Sequence, residues 1–318
     1  MSADRGARHP PVGPADAAEL ATRQGTRATL ISLGLLGATA AIQLGVVAAS
    51  GSVALLADSI HNLTDALTAI PLLIAFRLAR RPPTRRYPYG YSRAEDVAGL
   101  AIVALIGVSA LVAAAEAVDR LLHPQQLTAA GWVLAAGAIG VLGNETVARY
   151  RITVGRRIGS AALVADGLHA RTDGLASLGV IVAAIGSMVG LERADAVVGL
   201  AITVAIVVTL VHAARSVLHR ALDGTDEHTL SLIEAVAGAV DGVEHVADAR
   251  ARWSGHRLLA ELSVDVDPAI PVSAGHDIAE AVRIALLREV PRLVEATVHV
   301  DPHEHPPHHR RTGRPPVG

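Results

Sequence analysis

The sequence predicts an α-helical membrane protein with six transmembrane helices, followed by a small C-terminal α+β domain. Three observations carry that expectation. Hydrophobic residues fill 51% of the 318 positions and charged ones only 18%, with a mean hydropathy of +0.40; soluble domains carry about 25% charged residues. Six apolar runs are each long enough to cross a bilayer, which takes about 20 helical residues. Beyond residue 221 those runs give way to alternating polar and apolar positions.

The elements follow in order along the chain. Residues 1–27 are polar and rich in Pro, Ala and Arg, with no apolar core, and are expected to be a disordered leader. The six runs span 28–49, 53–76, 98–121, 127–148, 160–189 and 194–217, and together make a transmembrane domain over 28–218. Residues 222–301 form the second domain: a helix over 229–240, strands over 242–252 and 258–267, a helix over 274–289 and a last strand over 293–300. Residues 302–318 are a Pro- and His-rich tail that cannot build a core.

Arginine placement sets the orientation. The connection between the second and third runs holds Arg77, Arg80, Arg81, Arg85, Arg86 and Arg93, and that between the fourth and fifth holds Arg149, Arg151, Arg156 and Arg157. The alternate connections are short and poor in bases. The positive-inside rule then puts both termini in the cytoplasm. The formal net charge of -2 lacks the basic surface that a nucleic-acid binder needs. The absence of cysteine removes disulfides, thiolate metal sites and cysteine nucleophiles together.

One phrase occurs twice. ADSIHNLTDAL spans 57–67 and ADGLHARTDGL spans 165–175, in the second and fifth runs. His61 and Asp65 are four apart, as are His169 and Asp173, which on a helix stacks each pair on one face. Ionisable pairs inside a membrane helix are costly and mark ion or proton paths. Two imidazoles and two carboxylates suit a tetrahedral divalent cation, Zn2+ first, with Co2+, Ni2+, Fe2+, Mn2+ and Cd2+ as other occupants. Four protein ligands leave no open position for a hydrolytic water, which favours holding an ion over metalloenzyme chemistry. Asp58 and Asp166 precede each His by three residues and share the ligand face. They read equally as groups supporting the ligands or entry carboxylates for the ion, and as helix-end or inter-helix hydrogen-bonding residues. Gln43 and Asn144 are lone polar groups in the first and fourth runs, read either way.

On these motifs the chain resembles the cation diffusion facilitator family of divalent-metal/proton antiporters over nearly its whole length. SGSVALLADSIHNLTDA resembles the family's first-to-second-helix segment, RRYPYGYSRAED its loop before the third helix, and GNETVARYRITVGRRIGSAALVADGLHARTDG its fourth-to-fifth region. The resemblance implies a transport site at His61, Asp65, His169 and Asp173, a ferredoxin-like cytoplasmic domain, and a homodimer in a plasma membrane. It further implies metal and protons as substrates, with the histidines coupling the two.

Departures from the family pattern matter too. Tyr87 and Tyr91 stand where some members carry His, so no auxiliary site is expected in that loop. His276, His299 and Asp301 match positions of the family's cytoplasmic binuclear site, but the positions near Ala247 and Ser263 lack ligands, which implies a weak or absent site. The tail residues His303, His305, His308 and His309 are metal-capturing or solvated. The rival from another class is a membrane-embedded metal sensor, for which the chain carries no output motif.

Overall fold

The computed structural model describes residues 13–50, 69–122, 130–188 and 194–303. The chain divides into two compact units: residues 1–222 with 254–257, and residues 223–253 with 258–318.

The first unit is helical. Its described helices are α1 (Pro14–Ser50), α2 (Ala69–Ala79), α3 (Ala94–Leu122), α4 (Ala130–Ile158), α5 (Ala161–Met188) and α6 (Ala194–Ala221). All but α2 are long and apolar enough to cross a membrane. Residues 51–68, most of the second predicted run, lie outside the described residues, and with them Asp58, His61 and Asp65. Large apolar side chains such as Ile42, Val108, Leu111, Leu142 and Val204 point outward, more than half exposed. In a bilayer that surface is the solvated one, because lipid tails are as apolar as they are.

Two boundaries differ from expectation, each for a physical reason. The stretch 14–27, read as leader, is helix. Pro14 opens it, where a missing N–H costs nothing, and Asp16 complements the helix dipole in the first turn. Ala18 and Thr22 are then buried, so the stretch has a packing partner that hydropathy alone does not reveal. The arginine-rich stretch 149–157, read as a loop, continues α4 to Ile158. The chain then reverses in two residues. Gly159 takes φ +80°, a conformation open to glycine, and the Ser160 N–H donates to Gly155 O at 2.8 Å, closing α4 as a Schellman motif. Ser160 also starts α5, its Oγ accepting from the Leu163 N–H at 3.0 Å.

This turn sets α4 and α5 antiparallel in close register. A Cβ on Gly155 would stand 2.9 Å from the Val164 backbone nitrogen, and one on Gly167 would stand 3.0 Å from both Arg151 Cβ and the Ile152 nitrogen. Further along, Gly174 faces Asn144, Gly140 faces Ser177, and Gly137 faces Ile181. Small residues let two membrane helices approach this closely.

The second unit runs α7 (Glu227–Gly238), β1 (His245–Ser254), β2 (Arg257–Val266), α8 (Val272–Glu289) and β3 (Leu293–Pro302). The sheet order is β1-β2-β3, with β3 parallel to β2 across α8. The expected ferredoxin-like pattern is therefore met only in part: its leading strand, which would split the β2-α8-β3 unit, is absent from 222–303, and β2 and β3 pair directly instead. Alternate residues of β2, from Leu258 through Ala260, Leu262 and Val264 to Val266, are buried. With Ile233 and Val236 of α7 and Val282 and Leu286 of α8 they form one core. Asp226 caps α7, its carboxylate accepting from the Thr229 N–H and hydroxyl, each at 2.8 Å. The expected tail start is ordered strand: β3 includes Pro302, and the His303 N–H donates to Val266 O at 2.8 Å. His305, His308 and His309 lie outside the described residues.

Candidate metal centre

Helix α5 carries a polar stripe through an apolar bundle. Asp166, His169, Asp173 and Ser177 follow at spacings of three, four and four, which places them on one face. All four are buried, with Asp173 the most exposed at 9%. Polar groups in such a setting are destabilising unless something compensates them. His169 Nδ1 and Asp173 Oδ1 stand 3.8 Å apart, too far for a hydrogen bond. Two ligands on one tetrahedral zinc, at 2.0–2.2 Å each, lie about 3.4 Å from one another. The pair is thus spaced to share a cation after a shift of tenths of an ångström.

The other predicted residues are placed as follows. His61, Asp65 and Asp58 fall outside the described residues. Asp166 lies one turn from His169 toward the α4–α5 turn and forms an ion pair with Arg151 of α4, Nη1 to Oδ2 at 2.9 Å. Gln43 is buried and donates from Nε2 to Ala136 O at 3.2 Å, which ties α1 to α4. Asn144 is buried where α4 meets Gly174, the residue after Asp173. Arg171 points off the stripe to Glu145, Nε to Oε2 at 3.2 Å. Among the described residues no three His, Asp or Glu side chains gather into a complete metal site.

In the second unit the structure brings together only part of the expected set. His299 and Asp301 share one face of β3, with Nε2 and Oδ1 3.0 Å apart and both side chains exposed. His276 sits on α8 and does not join them in a three-ligand group. His303 Nδ1 lies 3.7 Å from a carboxylate oxygen of Glu244 and of Asp265.

Two buried polar features escape the sequence reading. Arg151 reads as one more arginine in a basic run. Its seven-residue spacing from Asn144, which aligns both on one face of α4, is the signal that marks it. The second lies within the first unit, where the turn 254–257 belongs. His256 is buried with Nδ1 2.8 Å from Glu95 Oε2 and Nε2 3.2 Å from Ala18 O. Gly255 precedes it at φ +61°, and a Cβ there would stand 2.7 Å from Ser92 O. Nothing in the sequence ties residues so far apart.

The sequence is similar to those of known proteins. Residues 29–220 match the profile described as the cation efflux transmembrane domain, and residues 225–303 match that of the cation efflux protein cytoplasmic domain. A "Probable cation efflux system protein" of Mycobacterium tuberculosis is 52% identical over 284 residues, which is 89% of this chain and 86% of the relative. An "Uncharacterized transporter" of Methanocaldococcus jannaschii is 31% identical over 258 residues, 79% of this chain and 88% of the relative. The "Manganese efflux system protein MneS" of Bacillus subtilis is 27% identical over 285 residues, 89% of this chain and 97% of the relative. Among solved structures, a nickel form of the MamM CTD shares 32% identity, covering 25% of this chain and 100% of that one at a TM-score of 0.24.

Proposed function

This chain belongs to the cation diffusion facilitator family of cation efflux transporters, and from that premise we propose that it exports Zn2+ from the cytoplasm in exchange for protons. The ion would be held by His61, Asp65, His169 and Asp173. The observation that carries this reading is the buried His169–Asp173 pair on α5, whose sequence setting is repeated at His61 and Asp65.

The chemistry runs through the imidazoles. Metal binding needs neutral histidine and ionised carboxylate. Open to a near-neutral cytoplasm, the site exchanges whatever protons its histidines hold for metal. Open to an acidic exterior, imidazoles with a reference pKa of about 6.5 take up protons, and metal affinity falls. The proton gradient then drives export as the bundle alternates its access around a fixed site. The orientation with both termini cytoplasmic draws support from the arginines of the α2–α3 connection and from Arg156 and Arg157 at the end of α4. A homodimer belongs to the same reading and follows from the family.

Zinc is favoured by its affinity for paired imidazoles and carboxylates. Cobalt and nickel accept the same donors. Manganese, which the name of the Bacillus subtilis relative brings in, prefers an all-oxygen set over one that is half imidazole. The sensor alternative predicts metal binding without flux. Equilibrium zinc binding to the purified full chain tests the site: His61→Ala, Asp65→Ala, His169→Ala and Asp173→Ala should each weaken the same high-affinity event. Undiminished binding in all four variants would refute it.

A further inference from the structure

The stripe on α5 does not end at His169. Asp166 precedes it by one turn on the same face, fully buried, between the candidate ligands and the α4–α5 turn. Its partner Arg151 is 1% exposed. A guanidinium that clamps two helices normally grips a carboxylate with two parallel hydrogen bonds. This one does not. Arg151 Nη1 reaches Asp166 Oδ2 at 2.9 Å off the hydrogen-bonding axis. Arg151 Nε and Nη2 and both Asp166 oxygens have no hydrogen-bond partner among the described residues. Buried polar atoms left unsatisfied in this number call for an explanation.

The explanation lies in what a cation meets on the stripe. Moving along α5 from the α4–α5 turn, it meets the Asp166 carboxylate before His169 and then Asp173. A bare buried carboxylate there would hold a divalent ion too firmly to release it, and conduction needs sites weak enough to leave. A tethered positive charge solves this by competing for the same oxygens. A loose, single-contact pair competes and still yields, where a bidentate clamp would not.

We infer that Asp166 is a transfer carboxylate on the cation path and that Arg151 is its tethered counter-cation, occupying Asp166 between passages of metal. The inference rests on the site proposed above. It makes Asp166 a way-station for the transported divalent cation rather than a fifth ligand, and it makes Arg151 a residue that sets how fast the cation is handed on.

The test uses the full chain in proteoliposomes with Zn2+ as the probe, rates normalised to folded protein, alongside equilibrium zinc binding. Asp166→Asn should lower kcat by about 10- to 100-fold, the range for groups flanking a metal site, while equilibrium affinity stays nearly unchanged. Arg151→Gln should lower KM and kcat together, because the uncompensated carboxylate retains the ion. Arg151→Lys should keep a KM near wild type, and the double variant Arg151→Gln/Asp166→Asn should behave as Asp166→Asn alone. Wild-type kcat and KM per folded molecule in both single variants, with only thermal stability reduced, would overturn the inference and leave a helix clamp. His169→Ala separates the two levels. If it transports as wild type does, the site and this inference fall together; if it is inactive while Asp166→Asn and Arg151→Gln are kinetically normal, only this inference falls.

Discussion

Arg151 of α4 and Asp166 of α5 meet at 2.9 Å inside the helical bundle, with 1% and 0% of their side chains exposed. Taking away one partner of a buried pair leaves a charge without compensation, at about 3–5 kcal/mol, whereas replacing both with apolar groups is often neutral. Arg151→Met should therefore lower the thermal midpoint of the detergent-solubilised protein, and adding Asp166→Leu should restore most of the loss. Two additive losses in a double-mutant comparison would mean that the pair is not coupled.

The α4–α5 contact is close enough that a Cβ does not fit at two of its glycines. At Gly155 the obstacle to a Cβ includes the Val164 backbone nitrogen, and at Gly167 the Ile152 nitrogen, neither of which can swing aside. Gly155→Ala and Gly167→Ala should each destabilise by about 1–3 kcal/mol through overpacking. Among the described residues, Gly34 of α1 has nothing within 4 Å of its Cβ position, so Gly34→Ala should be neutral or stabilising by up to about 1 kcal/mol. Thermal unfolding of the three variants checks the ranking; a loss at Gly34 matching that at Gly155 would contradict it.

Asp226 offers a pH-dependent handle on the second unit. The hydroxyl of Thr229, followed by its backbone N–H, holds the Asp226 carboxyl below the ordinary carboxylate value. A carboxyl lowered in the folded state contributes stability above its unfolded pKa, about 3.9, and that contribution fades as pH falls through the folded value. Asp226→Ala should cost about 1 kcal/mol of α7 stability at neutral pH and progressively less below about pH 4. Hydrogen exchange of the α7 amides in the full chain reads this directly. A penalty that stays constant down to pH 3 would mean that the cap does not depend on charge.

What the sequence makes legible follows from what hydropathy and spacing encode. The apolar runs, the repeated His–Asp spacing and the alternation that becomes β2 are local patterns, and α5 and β2 lie within a residue or two of where those patterns put them. The continuation of α4 to Ile158 is not a local property. Arg151 is strongly polar on any hydropathy scale, and among the described residues its ion-pair partner inside the bundle is Asp166 on the next helix. The same holds for residues 14–27, whose helix is supported by the burial of Ala18 and Thr22. On the candidate site, spacing finds Asp166, His169 and Asp173 on one face. It does not reveal that Asp166 is already engaged by Arg151.

The account stands most directly on cation-driven proton movement in sealed proteoliposomes, compared across zinc, cobalt, nickel, manganese and iron(II), with Asp173→Ala beside the wild type. The prediction is proton flux that depends on zinc, exceeds that with manganese, and disappears in Asp173→Ala. Folded protein that binds zinc but moves no protons with any of these ions would contradict it.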